Sequence, residues 1–192
     1  INTKDGHYMT KQLVFMILQQ VLAKMERSFH PEELNELNCV EPISLCRVFH
    51  RYNTKNGENK WVDKVKYATV NNALRQIIPA NKKKGLLQIS YSDWYFADYW
   101  GKLNATQSKT LANTLVKDAY PSATIKPPTW TKTHYWNGAI HFWKPNCNER
   151  SLYGKITHMR KNLFIGGESF SLNQGWCEGA IQTSEKIYKL LH

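Results

Sequence analysis

The stretch Asn162-Leu-Phe-Ile-Gly-Gly-Glu-Ser-Phe-Ser-Leu-Asn-Gln-Gly-Trp-Cys-Glu-Gly-Ala180 constrains the fold more than any other part of the chain. A short apolar run, Leu163 to Ile165, ends in Gly166-Gly167, and Gly175-Trp176 then opens a segment that reads as a helix to Leu191. Paired glycines let a backbone turn tightly and approach a ligand, because no Cβ stands in the way. The start of a helix presents unpaired N–H groups and a partial positive charge, which favour anions and electron-rich carbonyls. Gly179-Ala180, one turn in, are small enough for the helix to pack on a planar group or a strand. Glu168 and Glu178 are acids placed where a ligand hydroxyl could donate to a carboxylate. The spacing predicts a strand over Leu163 to Gly166, and a helix starting within about two residues of Gly175.

Around this segment, 192 residues suffice for one cored domain or for a large piece of a two-domain protein. Hydrophobic residues at 42% and aromatics at 12% exclude a disordered chain. No apolar run approaches the roughly 20 residues that cross a bilayer, and no leader segment is visible. The expected location is cytoplasmic or virion. Because the chain opens on Ile1, its true beginning is expected upstream. The charge of +11 would suit nucleic acid, but the lysines are dispersed. Their one tight cluster, Lys82 to Lys84, precedes Gly85 and reads as a solvated turn. The 4 cysteines, Cys39, Cys46, Cys147 and Cys177, lack a C-x-x-C pair and read as free thiols in a reducing compartment. The 7 histidines form no H-x-x-x-H pair, so no metal site is expected.

A strand is expected over Gln12 to Leu18, then a short helix through Arg27, and a further helix starting at Pro31-Glu32-Glu33. Ile43 to Tyr52 and Leu86 to Tyr91 read as strands, Asn53 to Asn59 as loop, and Leu103 to Lys117 as helix. Pro127-Pro128 leads into a strand over Trp130 to Trp136, with a glycine-centred segment over Gly138 to Pro145. The aromatic run Trp94 to Trp100 could stack nucleobases, but a buried hairpin is the expected reading. Strands and helices mix without βαβ alternation, which gives an α+β class.

The terminal segment resembles the C-terminal fingerprint of the flavin-dependent amine oxidases, a strand leading to G-E, a variable turn, and G-W/Y-x-E-G-A. Gly167-Glu168 and Gly175-Trp176-Cys177-Glu178-Gly179-Ala180 match it in place. Leu74 to Pro79 with Gly85 to Asp93 resembles the family's substrate-domain strand pair, and His141 to Pro145 the stretch before its last flavin strand. The chain is similar in particular to the versions in large DNA viruses and algae, and roughly Val14 to Leu191 can be laid on the family pattern. The resemblance implies a substrate-domain-like region over 1–158 and a flavin-contacting strand–turn–helix over 159–192. It implies FAD held by Gly166, Gly167, Glu168, Gly175, Trp176, Cys177, Glu178 and Ala180, with Glu168 near the ribityl or pyrophosphate part. Trp176 would wall the flavin face and guide a small amine substrate, against the alternative of a core tryptophan. Gly138-Ala139 falls where some relatives bond a cysteine to the flavin, so FAD would be non-covalent here.

Two departures bear on activity. No G-x-G-x-x-G occurs, so the ADP-binding half would come from a missing N-terminal segment or a partner chain. Relatives keep a lysine on a substrate-domain strand, whereas Ile43 to Phe49 holds Arg47 instead. Arginine stays protonated and cannot take up a proton. The alternative expectation is a non-catalytic structural or interaction protein, viral in origin, that keeps the fold without FAD.

Overall fold

The computed structural model describes residues 2–192. The chain is α+β and divides into two compact units, one made of 1–42 with 140–192, the other of 43–139. The expected boundary at 158/159 falls inside the first unit.

In chain order the elements are β1 (Asn2–Thr3), β2 (Gly6–His7), β3 (Leu13–Phe15), α1 (Gln19–Leu22), α2 (Pro31–Leu37) and β4 (Val40–Arg51). Then come α3 (Trp61–Lys64), β5 (Ala68–Thr69), β6 (Gln76–Asn81), β7 (Leu86–Asp93), α4 (Trp94–Gly101) and α5 (Ala105–Ala119). The chain closes with β8 (Trp130–Trp143), α6 (Glu149–Thr157), β9 (Leu163–Ile165) and α7 (Cys177–Leu191). A five-stranded sheet runs in the order β5-β6-β7-β4-β8, with β4–β7, β6–β7 and β5–β6 antiparallel. Separately, β3 and β9 pair in parallel, Val14 opposite Phe164.

In the 43–139 unit one face of the sheet carries Cys46, Val48, Ile77, Leu87 and Ile89, and α5 packs Ala112 and Val116 into the same core. Alternation along the strands sends Arg47, Phe49 and Gln88 to the other face. Asn104 caps α5 by accepting from Gln107 N at 2.9 Å, while the Gln107 side chain accepts from Asn104 N at 3.0 Å. Lys82 to Lys84 form a 3₁₀ turn ended by Gly85 at φ 66°, where a Cβ would lie 2.0 Å from Tyr52 O. Only glycine fits there.

In the other unit, Leu22, Leu37, Ile156, Ile165 and Phe170 make a second core. Pro31 opens α2, and Glu33 accepts from His30 N at 2.7 Å. The same carboxylate takes Arg160 in a two-pronged ion pair, which holds the Glu33 acid below its ordinary range.

Three expectations are corrected. The run Trp94 to Trp100 is helix α4 rather than a buried hairpin. Ala97 and Trp100, three apart, are its buried face, while Trp94, Tyr95 and Tyr99 lie exposed. The strand expected from Gln12 stops at Phe15, because Met16 to Leu18 turn outward to solvent. Cys39 and Cys147 are disulfide-bonded, with Cα atoms 5.9 Å apart, so only Cys46 and Cys177 are free. The pairing follows from β4 and the end of β8 lying together: Lys144 N donates to Cys39 O at 2.8 Å.

Candidate functional site

The strand–turn–helix is built by β9, a 3₁₀ turn over Glu168–Phe170, and α7. Helix α7 begins two residues after Gly175, as the spacing predicts. Its buried face is Gly179, Thr183 and Ile187, a repeat of four residues. Thr183 ties the helix to the turn, its hydroxyl accepting from Gly167 N at 2.9 Å.

The glycines divide into two kinds. A Cβ on Gly166 would lie 2.7 Å from Met16 Sδ and 2.8 Å from Ile187 Cδ1, and one on Gly179 would lie 2.2 Å from Ser171 Oγ. Both serve internal packing, and Gly179 packs on the Ser171–Asn173 turn rather than on a planar group or strand. Gly167 at φ 111° and Gly175 at φ 81° instead face open space. Trp176 sits at the N-cap of α7 with 74% of its surface exposed. It is no core tryptophan. Cys177 and Glu178 follow on the exposed side of the first turn, and Ala180 is half-buried.

Glu168 is engaged within the protein. One carboxylate oxygen accepts from Gly175 N at 2.5 Å and from His141 N at 3.2 Å; the other meets His141 Nδ1 at 2.8 Å. The His141 ring is fully buried, and its Nε2 meets Gln20 Oε1 at 3.0 Å. Ser169 Oγ lies 3.2 Å from Nδ1. Gln174 completes the lacing, accepting from Trp143 N at 2.8 Å and donating to Ser169 O at 2.6 Å. Sequence reasoning found Glu168 but missed His141 as its partner and Gln20 as the partner of His141, since 27 and 121 residues separate the members of the two contacts.

Arg47 belongs to β4 in the 43–139 unit. It stands opposite Tyr91 in β7, with its guanidinium carbon 4.8 Å from that ring's centre. Its Nε is buried without a hydrogen-bond partner. In the same unit Cys46 is buried, which pushes its thiol up to about 12 and leaves it unreactive. A cleft of about 820 Å³ lies among Trp61, Tyr120, Lys60, Lys64 and Lys126. Lys126 is already paired with Glu58 at 2.7 Å. No residue of the strand–turn–helix lines that cleft. Among the described residues no group of three or more His, Cys, Asp or Glu is placed to hold a metal ion. Nor is any described helix long and apolar enough to cross a membrane.

A scan against protein-family models finds no match for the chain, and a search of curated proteins finds no similar sequence.

Proposed function

We propose that this chain is the C-terminal part of a flavin-dependent amine oxidase, completed by an ADP-binding half that the 192 residues do not contain. The observation that carries the reading is Trp176. A large aromatic held 74% exposed at the N-cap of a 15-residue helix, beside an open glycine, has no packing reason to be there. A flat cofactor or substrate would give it one.

The fit to FAD is uneven along the motif. Gly167, Gly175, Trp176, Cys177 and Glu178 border open space or solvent and would hold the flavin edge, with the first N–H groups of α7 facing an electron-rich carbonyl. Gly166 and Gly179 act one layer behind, letting Met16, Ile187 and the Ser171 turn close up. Glu168 acts through Gly175, fixing the loop that presents Trp176. A bound flavin would supply the hydride acceptor for a neutral amine. Trp176 would orient that amine by its π-face and exclude water beside it. Arg47 holds a positive charge and cannot serve as a base.

The parallel pair β3–β9 supports an incomplete fold. Parallel strands normally belong to larger sheets covered on both faces, and these two have no third neighbour among the described residues. The disulfide favours an oxidising setting such as a virion over a reducing cytosol. A second reading, a non-catalytic structural or interaction protein without FAD, is favoured by one fact: Glu168 is wholly occupied by His141 and Gly175.

The test has two arms. The 192 residues alone should show no submicromolar FAD site by fluorescence quenching. Protein from the complete reading frame should be yellow and should bleach when an amine is added without air. Colourless protein from the complete frame would sink the oxidase reading in favour of the structural one.

A further inference from the structure

The face of the five-stranded sheet turned away from the 43–139 core carries a feature the reading above leaves unused. Arg47 alternates with the core residues Cys46 and Val48, and Gln88 with the core residues Leu87 and Ile89. Both side chains therefore stand on the opposite face. Each presents a buried donor, Arg47 Nε and Gln88 Nε2, that meets no acceptor. Gln88 is only 8% exposed. In register, Arg47 lies opposite Tyr91 and Gln88 opposite Phe49, two residues further along β4, with a β-bulge between the two pairs. Side chains as long as Arg and Gln can both reach one ligand on this face.

Two buried donors without an acceptor are unusual, because buried polar groups are nearly always paired. An Arg with no carboxylate among its described ion-pair partners makes the imbalance electrostatic as well. What is lacking is an anion with acceptor oxygens. The surroundings specify its body. Tyr91 lies under the guanidinium, and Phe49 meets His134 edge-on at 6.1 Å, with His134 stacked on Trp136 at 5.7 Å. A planar fork of N–H groups matches a carboxylate in two-pronged fashion, and the aromatic frame suits a flat or apolar remainder.

We infer that Arg47 and Gln88 form a carboxylate-binding site on this sheet face, for an organic acid with an aromatic or apolar body. Resting on the oxidase reading, the inference makes the substrate an amine that also bears a carboxylate, with Arg47 binding the acid group rather than replacing a proton-handling lysine.

The experiment uses the chain without flavin. Its arginine Nε–H resonances are followed by nitrogen-15 NMR, with Arg47 assigned by loss in Arg47→Lys. Phenylacetate should shift the Arg47 signal saturably, and 2-phenylethylamine, which lacks the carboxylate, should not. Arg47→Met and Gln88→Leu should each weaken phenylacetate binding at least about tenfold, while Arg47→Met keeps or raises the melting temperature because it removes an unpaired charge. No shift up to about 10 mM phenylacetate overturns the site. So does undiminished binding by Arg47→Met, or an equal response to inorganic phosphate, which would mean a general anion site. Because no flavin enters the measurement, saturable phenylacetate binding upholds the site even if the complete protein proves colourless.

Discussion

Two single residues carry predictions of opposite kind. Truncating a buried tryptophan costs about 3–5 kcal/mol, whereas an exposed residue away from any network changes stability by about 0.5 kcal/mol or less. Trp176 is exposed. Replacing it with Ala should therefore leave the melting temperature nearly unchanged while lowering amine turnover of the complete protein, with Phe restoring much of the rate. A large fall in melting temperature, or untouched turnover, removes Trp176 from the site. His50 behaves in the reverse sense. Burial first, and then the charge of Lys109, lowers its imidazole to about 4 from the ordinary 6.5. Between those values the unfolded chain binds the proton and the folded chain does not, so stability rises with pH across that window. It is fully present above about 6.5 and is lost as pH falls toward about 4, a term on the order of 3 kcal/mol. Urea unfolding at about pH 7 and about pH 4.5 should show a smaller loss for His50→Gln than for the unchanged protein. Equal losses would place the acid sensitivity elsewhere.

Among the elements, α7 offers the sharpest contest between local preference and packing. Alanine is a better helix former than glycine by about 0.8–1 kcal/mol. A Cβ on Gly179 would nevertheless come within 2.3 Å of the Asn173 carbonyl oxygen, a backbone atom that cannot swing aside. Overpacking of that kind costs about 1–3 kcal/mol, so Gly179→Ala should lower the melting temperature; a rise would show that the Ser171–Asn173 turn gives way freely. Helices α7 and α5 were legible in the sequence because each buries one face at helical spacing, Gly179, Thr183 and Ile187 in α7. Strands β4 and β7 were legible as short runs of apolar and β-branched residues, buried without a break over Ile43 to Cys46 and Leu87 to Ser90. Helix α4 was not, since five of its eight residues are aromatic and the single charge, Asp98, marks no polar face from which to read a period. Helix α6 was hidden as well, being nine residues long with Gly154 inside it. The buried ring of His141 and the orphan donors of Arg47 and Gln88 depend on strand pairing and register, which no local pattern records.

At the scale of the whole molecule, the disulfide is the feature with the widest reach. It joins positions 108 apart, and closing a loop of that size stabilises a fold by about 2–5 kcal/mol. Cys39→Ser with Cys147→Ser should lower the midpoint of urea unfolding accordingly, and an unchanged midpoint would mean the bond contributes nothing to the folded state. The two cysteines also bracket the 43–139 unit, which enters and leaves the other unit at 42 and 140. Cutting the backbone anywhere within that insert therefore yields two pieces that remain one covalent molecule. A protease nick there should be invisible by gel until a reductant is added, so that reduction alone decides whether the two pieces are still one molecule.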